Sequence, residues 1–147
     1  MKNNNRITIN GQNSFMLYDT YDNEKNKAEQ FLQECTAWLR LLDFFRQENS
    51  YLKTRLSMAV DHKTDKDFLN LAEQYQNKFI LKDEFINEIM QDAKKQEEII
   101  KDIISKKSML EERIIKKQQK LRNETEYLEK DYTKLKNDFN RQLSIEL

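Results

Sequence analysis

The chain has 147 residues, of which 35% are charged and 37% are apolar, and its 26 basic and 26 acidic residues cancel. An average globular domain is roughly 25% charged and about 45–50% apolar when glycine is counted. This composition therefore favours elongated helices that share a narrow core over a compact globule. A net charge of zero also gives no overall field that would attract nucleic acid or an anionic membrane.

The scarcity of four residue types argues against several classes of protein. One glycine, Gly11, and no proline leave few helix breakers and no phosphate-binding glycine loop. A single cysteine, Cys35, cannot form an intramolecular disulfide and fits a reducing compartment. A single histidine, His62, cannot supply the histidine pairs of helical di-iron or zinc-protease sites. We therefore expect a non-enzymatic protein without a metal or cofactor.

No apolar stretch is long enough for a signal peptide or a membrane span, so we expect a cytoplasmic location. Residues 1–23 read as a polar tail that contains six asparagines, a residue type that prefers turns to helices. Within the tail, residues 6–10 alternate polar and apolar, which allows a short strand if a partner edge is present. Phe15, Met16 and Tyr18 are the expected docking residues of this tail.

The first strong helical pattern extends from about Glu24 to Val60. Its apolar positions alternate steps of four and three, which is the spacing of a coiled-coil seam. The seam residues here are Phe31, Cys35, Trp38, Leu42, Phe45, Asn49, Leu52, Leu56 and Ala59. Leu39, Leu41 and Phe44 lie off the seam, so we expect at least two other helices to cover this segment.

Two features of this segment have both a structural and a functional interpretation. Asn49 is a polar residue at a seam position, where it either fixes the register of pairing or forms an ordinary hydrogen bond. The aromatic cluster of Trp38, Phe44 and Phe45 belongs either to the core, which we favour, or to a surface that binds a partner.

Apolar residues stop between Asp61 and Asp67, which predicts a tight turn and an antiparallel helical hairpin. Thr64 is the expected N-cap of the second helix, and acidic residues in the following turn suit the positive end of the helix dipole.

The second periodic segment begins at Phe68 and has polar gaps at Lys82 and Gln96. Its seam residues are Phe68, Ala72, Tyr75, Phe79, Ile86, Ile89, Ala93, Ile100 and Ile103. No Gly, Pro, Asn or Asp lies between Ile103 and Arg122, and Ile114 falls on the seven-residue count of Ile100. We therefore favour one continuous helix over about residues 67–143. The alternative is a break near residues 105–108, where Ser108 and Glu111 match a capping box, which would give a three-helix bundle.

The last third of the chain carries two patterns. An apolar arm runs through Leu121, Leu128, Tyr132, Leu135 and Phe139, and it needs cover from the hairpin or from a second chain. A basic stripe beside it would consist of Lys106, Arg113, Lys116, Lys117 and Lys120 on one helical face. Such a stripe is either a solvated flank or a weak site for nucleic acid or a membrane surface, and we favour the flank.

The sequence thus predicts an all-α protein with a polar tail (1–23) and a coiled-coil-like helical domain (24–147). Our leading hypothesis is a structural or adaptor protein that self-associates through the seam residues as a homodimer. The alternative is a monomeric three-helix bundle that captures another helical protein, and a weak nucleic-acid or membrane binder is third. The sequence leaves the partner and the biological process open.

Overall fold

The computed structural model describes the backbone of residues 2–146 and the side chains of residues 22–145. Three helices, α1 (Lys2–His62), α2 (Lys66–Ser105) and α3 (Glu112–Glu146), form an all-α bundle, and the described residues include no strand. The predicted fold class is confirmed. α2 runs antiparallel to α1, and α3 returns parallel to α1, since Arg122 pairs with Glu34 and Lys136 with Glu48.

The predicted hairpin turn is confirmed and occupies residues 63–65. The prediction of Thr64 as the N-cap of α2 is wrong by one residue. Asp65 is the cap, because its carboxylate accepts a hydrogen bond from the backbone N–H of Phe68 at 3.1 Å. A carboxylate at this position also interacts favourably with the positive end of the helix dipole.

The start of α1 differs from the sequence prediction. α1 begins at Lys2 rather than near Glu24, and the short strand considered for residues 6–10 is not formed. A helix satisfies its backbone hydrogen bonds within itself, whereas a strand needs a neighbouring edge, which the described residues do not offer. The proposed docking of Phe15, Met16 and Tyr18 lies outside the described side chains.

The favoured prediction of one continuous helix over residues 67–143 is wrong, and the alternative break is confirmed. α2 ends in a Schellman-type cap, in which Ser108 N–H donates to Ile103 O at 3.0 Å and Lys107 N–H to Ile104 O at 3.2 Å. Lys107 supplies the left-handed residue of this cap, with φ 54°. That conformation costs a non-glycine residue roughly 1–2 kcal/mol, which the packing of α3 on the hairpin offsets.

The capping box considered for Ser108 and Glu111 does not begin α3. The helix starts at Glu112, and the carbonyl of Glu111 accepts hydrogen bonds from the N–H groups of Ile114 and Ile115 at 3.0 and 3.2 Å.

The core of the bundle has two apolar parts separated by a polar layer. The larger part lies towards the α1–α2 turn and includes Leu42, Phe79 and Phe139. The smaller part lies beside the α2–α3 loop and consists of Ala28, Phe31, Cys35, Ile100, Ile103 and Ile114. Between them, the amide side chains of Gln96 and Gln118 are buried.

Candidate interaction surface

The seam residues predicted from the sequence lie inside the single chain. All of them are buried except Trp38, which is half-buried, and this includes the arm of α3. Phe139 packs edge-on against Phe79 at 5.1 Å between ring centroids, and Tyr132 lies 5.1 Å from Phe45. The hairpin of the same chain therefore covers the arm.

The polar layer joins the three helices through one buried side chain from each. Gln96 of α2 donates to the carbonyl of Ile114 at 2.9 Å and to Oε1 of Gln118 at 3.2 Å. Gln118 of α3 in turn donates to the carbonyl of Phe31 at 3.0 Å, and its Oε1 accepts from the Cys35 thiol at 3.6 Å. The polar gap predicted at Gln96 therefore faces a second buried amide, Gln118, which was not named as a seam residue although it falls on the seven-residue count of Tyr132 and Phe139.

The two side chains best suited by type to catalysis are poorly placed for it. Burial raises the pKa of the Cys35 thiol to about 11, so the thiol is protonated and weakly nucleophilic at neutral pH. His62 is exposed at the end of α1, where its Nδ1 lies 2.8 Å from the carbonyl of Met58. The two residues are 27 positions apart on one helix, which separates them by about 40 Å.

Asn49 of α1 makes hydrogen bonds to α2. It is fully buried, and its Nδ2 donates to the carbonyl of Phe79 at 2.9 Å and to Oδ1 of Asp83 at 2.6 Å. Lys53, one turn further along α1, pairs with the other oxygen of Asp83. A shift of α1 along α2 would break these contacts, and the register interpretation of Asn49 stays a prediction.

A row of polar contacts joins α1 to α3 along the outside of the bundle. Arg122 binds Glu34 through two hydrogen bonds of 2.8 and 2.6 Å, and Arg55 donates to Asn140 at 2.6 Å. The two hydrogen bonds from Arg122 hold the pKa of the Glu34 carboxyl below its usual value, and the same contact raises the pKa of Arg122.

Each residue of the predicted basic stripe has a carboxylate neighbour. Four pairs are local: Lys106–Asp102, Arg113–Glu111, Lys116–Glu112 and Lys120–Glu124; the fifth, Lys117–Asp92, bridges α3 and α2 at 2.9 Å. Lys106 is also the C-cap of α2 rather than a residue of α3, so the stripe does not share one helical face as predicted. These pairings are those of a salt-bridging flank.

The outer face of α1 presents a row of large apolar side chains. Phe44, Tyr51 and Met58 are 56%, 61% and 60% exposed, and they follow one another at seven-residue intervals, so they lie on one line along the helix. We call these three residues the exposed row. Single exposed apolar residues are ordinary, and no other three exposed large hydrophobic residues among the described side chains repeat in this way.

Neighbouring contacts hold the middle of the exposed row in place. The guanidinium of Arg55 lies 6.0 Å from the ring centroid of Tyr51 and 5.8 Å from that of Phe139 in the core. Because Arg55 is also hydrogen-bonded to Asn140 of α3, it links the Tyr51 ring to two helices. An aromatic side chain already held in position loses little conformational entropy on binding.

The aromatic cluster predicted from the sequence divides between core and surface. Phe45 is buried, Trp38 is half-buried and Phe44 is exposed. Sequence reasoning missed Tyr51 and Met58 as surface residues. The signal that would have found them is the seven-residue spacing that they share with Phe44, outside the seam.

The chain is an all-α, three-helix bundle, and the described side chains of α1 include an exposed apolar row. No known protein family, curated protein or solved structure gives a significant match to this chain. None of the described helices contains a stretch apolar enough to cross a membrane.

Proposed function

We propose that this chain is a non-enzymatic interaction protein, a three-helix bundle that binds an amphipathic helix of another protein along the exposed row. The observation that carries the proposal is the alignment of Phe44, Tyr51 and Met58, each more than half exposed. Over 14 residues the row is about 21 Å long, which is four turns of a helix.

A helical partner fits this row better than a loop does. Side chains that repeat every seventh residue on one helix match the i, i+3, i+4 and i+7 anchors of a second helix lying alongside. Large aromatic side chains are also the residues that most often carry binding energy at interfaces. The polar contacts between α1 and α3 that lie level with the row, Arg55–Asn140 and Glu48–Lys136, would form the rim beside it.

The non-enzymatic part of the proposal is supported by the placement of the reactive side chains. Cys35 is buried with a raised thiol pKa, and His62 lies about 40 Å away along α1. A free cysteine in the core also suits a reducing compartment, which supports a cytoplasmic location.

The test is a selection of helical peptides displayed on phage against the immobilised bundle. The competitor in solution is a triple variant with Phe44→Ser, Tyr51→Ser and Met58→Ser. We expect enrichment of peptides with apolar residues at helical spacing. Their dissociation constants for the triple variant should be at least tenfold higher, a loss of about 1.4 kcal/mol. A matched control is Tyr127→Ser, which removes an exposed tyrosine on α3 and should leave binding unchanged.

Two results would contradict the proposal. One is a set of selected peptides that bind the triple variant as tightly as the unmodified protein. The other is sedimentation showing that the unmodified protein is a dimer and the triple variant a monomer, because the exposed row would then be occupied by a second copy.

Self-association, the leading hypothesis from the sequence, is the second candidate. The seam residues are covered within one chain, so they can join two chains only if a helix is exchanged. The conformation of Lys107 in the α2–α3 loop is the observation that favours such an exchange.

A further inference from the structure

The loop between α2 and α3 is built from residues that suit a helix better than a turn. Its cap requires a left-handed residue, and the chain places Lys107 there, with φ 54°, where glycine is the usual choice. Residues 106–111 read Lys-Lys-Ser-Met-Leu-Glu, and lysine, methionine, leucine and glutamate are all good helix formers. The loop therefore has a helical alternative that would relieve the strain at Lys107.

A straightened loop would keep the apolar pattern in register. Ile114, Leu121 and Leu128 fall on the same seven-residue count as Ile100, and only Lys107 interrupts that count. α2 and α3 would then form one helix of 81 residues, about 120 Å long, from Lys66 to Glu146. Its two halves would carry one nearly continuous apolar face.

The straight form cannot exist alone, because it would expose the inner face of α3. Leu121, Leu128, Tyr132 and Phe139 are at most 1% exposed in the bundle, so this face needs an α1–α2 hairpin against it. A second copy of the chain carries such a hairpin, with the same partners for Gln118 and Arg122. Only a copy of this chain offers that set of contacts.

We propose that two copies of this chain exchange their α3 helices. In this dimer α2 and α3 of each copy join through a helical loop, and each α3 packs on the α1–α2 hairpin of the other copy. Every contact of α3 is kept, now between chains: Gln118 with Gln96, Arg122 with Glu34, and Lys117 with Asp92. The arrangement has two-fold symmetry, as expected for an exchange of identical elements.

The balance between the two forms depends on protein concentration and on the loop. The monomer and the exchanged dimer share the contacts of α3, so they differ mainly in the loop conformation and in the entropy of association. The exchanged dimer forms most readily when the chain refolds at high concentration, where α3 meets the hairpin of another copy before its own.

The first test is refolding from urea at about 5 µM and at about 500 µM, followed by size-exclusion chromatography with light scattering. We expect monomer at the low concentration and a substantial dimer peak at the high one. Lys107→Gly stabilises the closed loop and should lower the dimer fraction at least fivefold. Lys107→Ala with Ser108→Ala favours the helical loop and should raise it. Lys116→Gly is the control, because it weakens α3 in either form without changing the loop.

The second test establishes which chain supplies α3. Lys94→Cys on α2 and Lys120→Cys on α3 place two exposed thiols on facing helices, and the buried Cys35 thiol does not compete. A short bismaleimide should link them within one chain in the monomer peak and between two chains in the dimer peak. A denaturing gel of the dimer peak then shows a covalent dimer.

The proposal is overturned if the chain is monomeric after refolding at every concentration. It is overturned equally if the dimer peak yields only intrachain links, since the copies then associate without exchanging α3. The triple variant of the exposed row should still form the exchanged dimer, so this test is independent of the proposed peptide-binding function.

Discussion

The buried polar layer gives the sharpest prediction about how the three helices are held together. Replacing Gln118 with leucine removes the acceptor for the Gln96 amide and for the Cys35 thiol, and it removes the donor to the Phe31 carbonyl. A net hydrogen bond contributes about 1 kcal/mol, and the buried Gln96 would lose one of its two partners. The gain from burying a leucine offsets part of this loss. We expect Gln118→Leu to lower the free energy of unfolding by about 1–2 kcal/mol.

The double variant separates hydrogen bonding from packing. With Gln96→Leu and Gln118→Leu together, both amides are gone and two leucines meet between the apolar parts of the core. The double variant leaves no unpaired amide at position 96, so it should recover that part of the loss, whereas the Phe31 carbonyl and the Cys35 thiol still lack their Gln118 partner. The two substitutions should therefore be coupled by at least about 1 kcal/mol.

The measurement is urea unfolding monitored by circular dichroism. The dependence of the unfolding free energy on urea concentration should be the same for all variants. Gln119→Leu is the matched control, because Gln119 is exposed next to Gln118 in the same helix, and its effect should stay within about 0.5 kcal/mol. Effects of the two layer substitutions that simply add would refute the reasoning, because they would mean that the amides do not bind each other.

Three further predictions concern other buried or paired groups. Asn49→Leu should raise the melting temperature, because Oδ1 of Asn49 accepts no hydrogen bond from the described residues and Asp83 keeps its ion pair with Lys53. It should also broaden the distribution of oligomers seen in sedimentation. An unchanged single species without added stability would contradict this prediction. The Cys35 thiol should react with a thiol reagent at pH 8 only as fast as the protein unfolds, so a rapid reaction in the native state would contradict its burial and its raised pKa. Glu34→Gln should destabilise the bundle at neutral pH and have less effect at low pH. The pKa of Glu34 is lowered in the folded state, so its contribution to stability is present above the pKa of the unfolded chain and is lost as pH falls through the folded value. The measurement is thermal unfolding of both proteins between pH 7 and pH 2. A difference in their stability that stays equal over this range would show that the pair with Arg122 contributes nothing.

The parts of the fold that the sequence predicts are those set by local repetition. Steps of three and four from Phe31 to Ala59 and from Phe68 to Ile103 specify two helices, and the polar run at residues 61–67 specifies the turn between them. These signals need no knowledge of the rest of the chain, because the spacing of apolar residues within an amphipathic helix indicates which of its faces is buried.

The break between α2 and α3 could not be predicted in this way. The left-handed position is occupied by Lys107, whereas a glycine or an asparagine there would have indicated the end of a helix. The loop forms because α3 buries Leu121, Leu128 and Phe139 against the hairpin, and that gain is tertiary. Local preference here favours the helix, and packing overrides it.

The candidate surface shows a similar limit. The seam spacing already places Phe45 on the inner face and Phe44 off it, but only the positions of α2 and α3 show that no other helix covers Phe44. Gln118 was missed for the related reason that glutamine is usually exposed. Gln118 falls on the seven-residue count of Tyr132 and Phe139, so the spacing indicates its buried face, but its hydrogen bond to Gln96 depends on how α3 packs on α2.

The return of α3 onto the hairpin is the claim on which the bundle, its polar layer and its surface all depend. The most direct test is the distance between spin labels at positions 94 and 120 in the monomer, measured by pulsed electron resonance on labelled protein diluted with unlabelled protein. Facing helices place the two backbones about 10 Å apart, and the labels should report a distance close to that. A distance of about 39 Å, the length of 26 residues of straight helix, would contradict the fold described above.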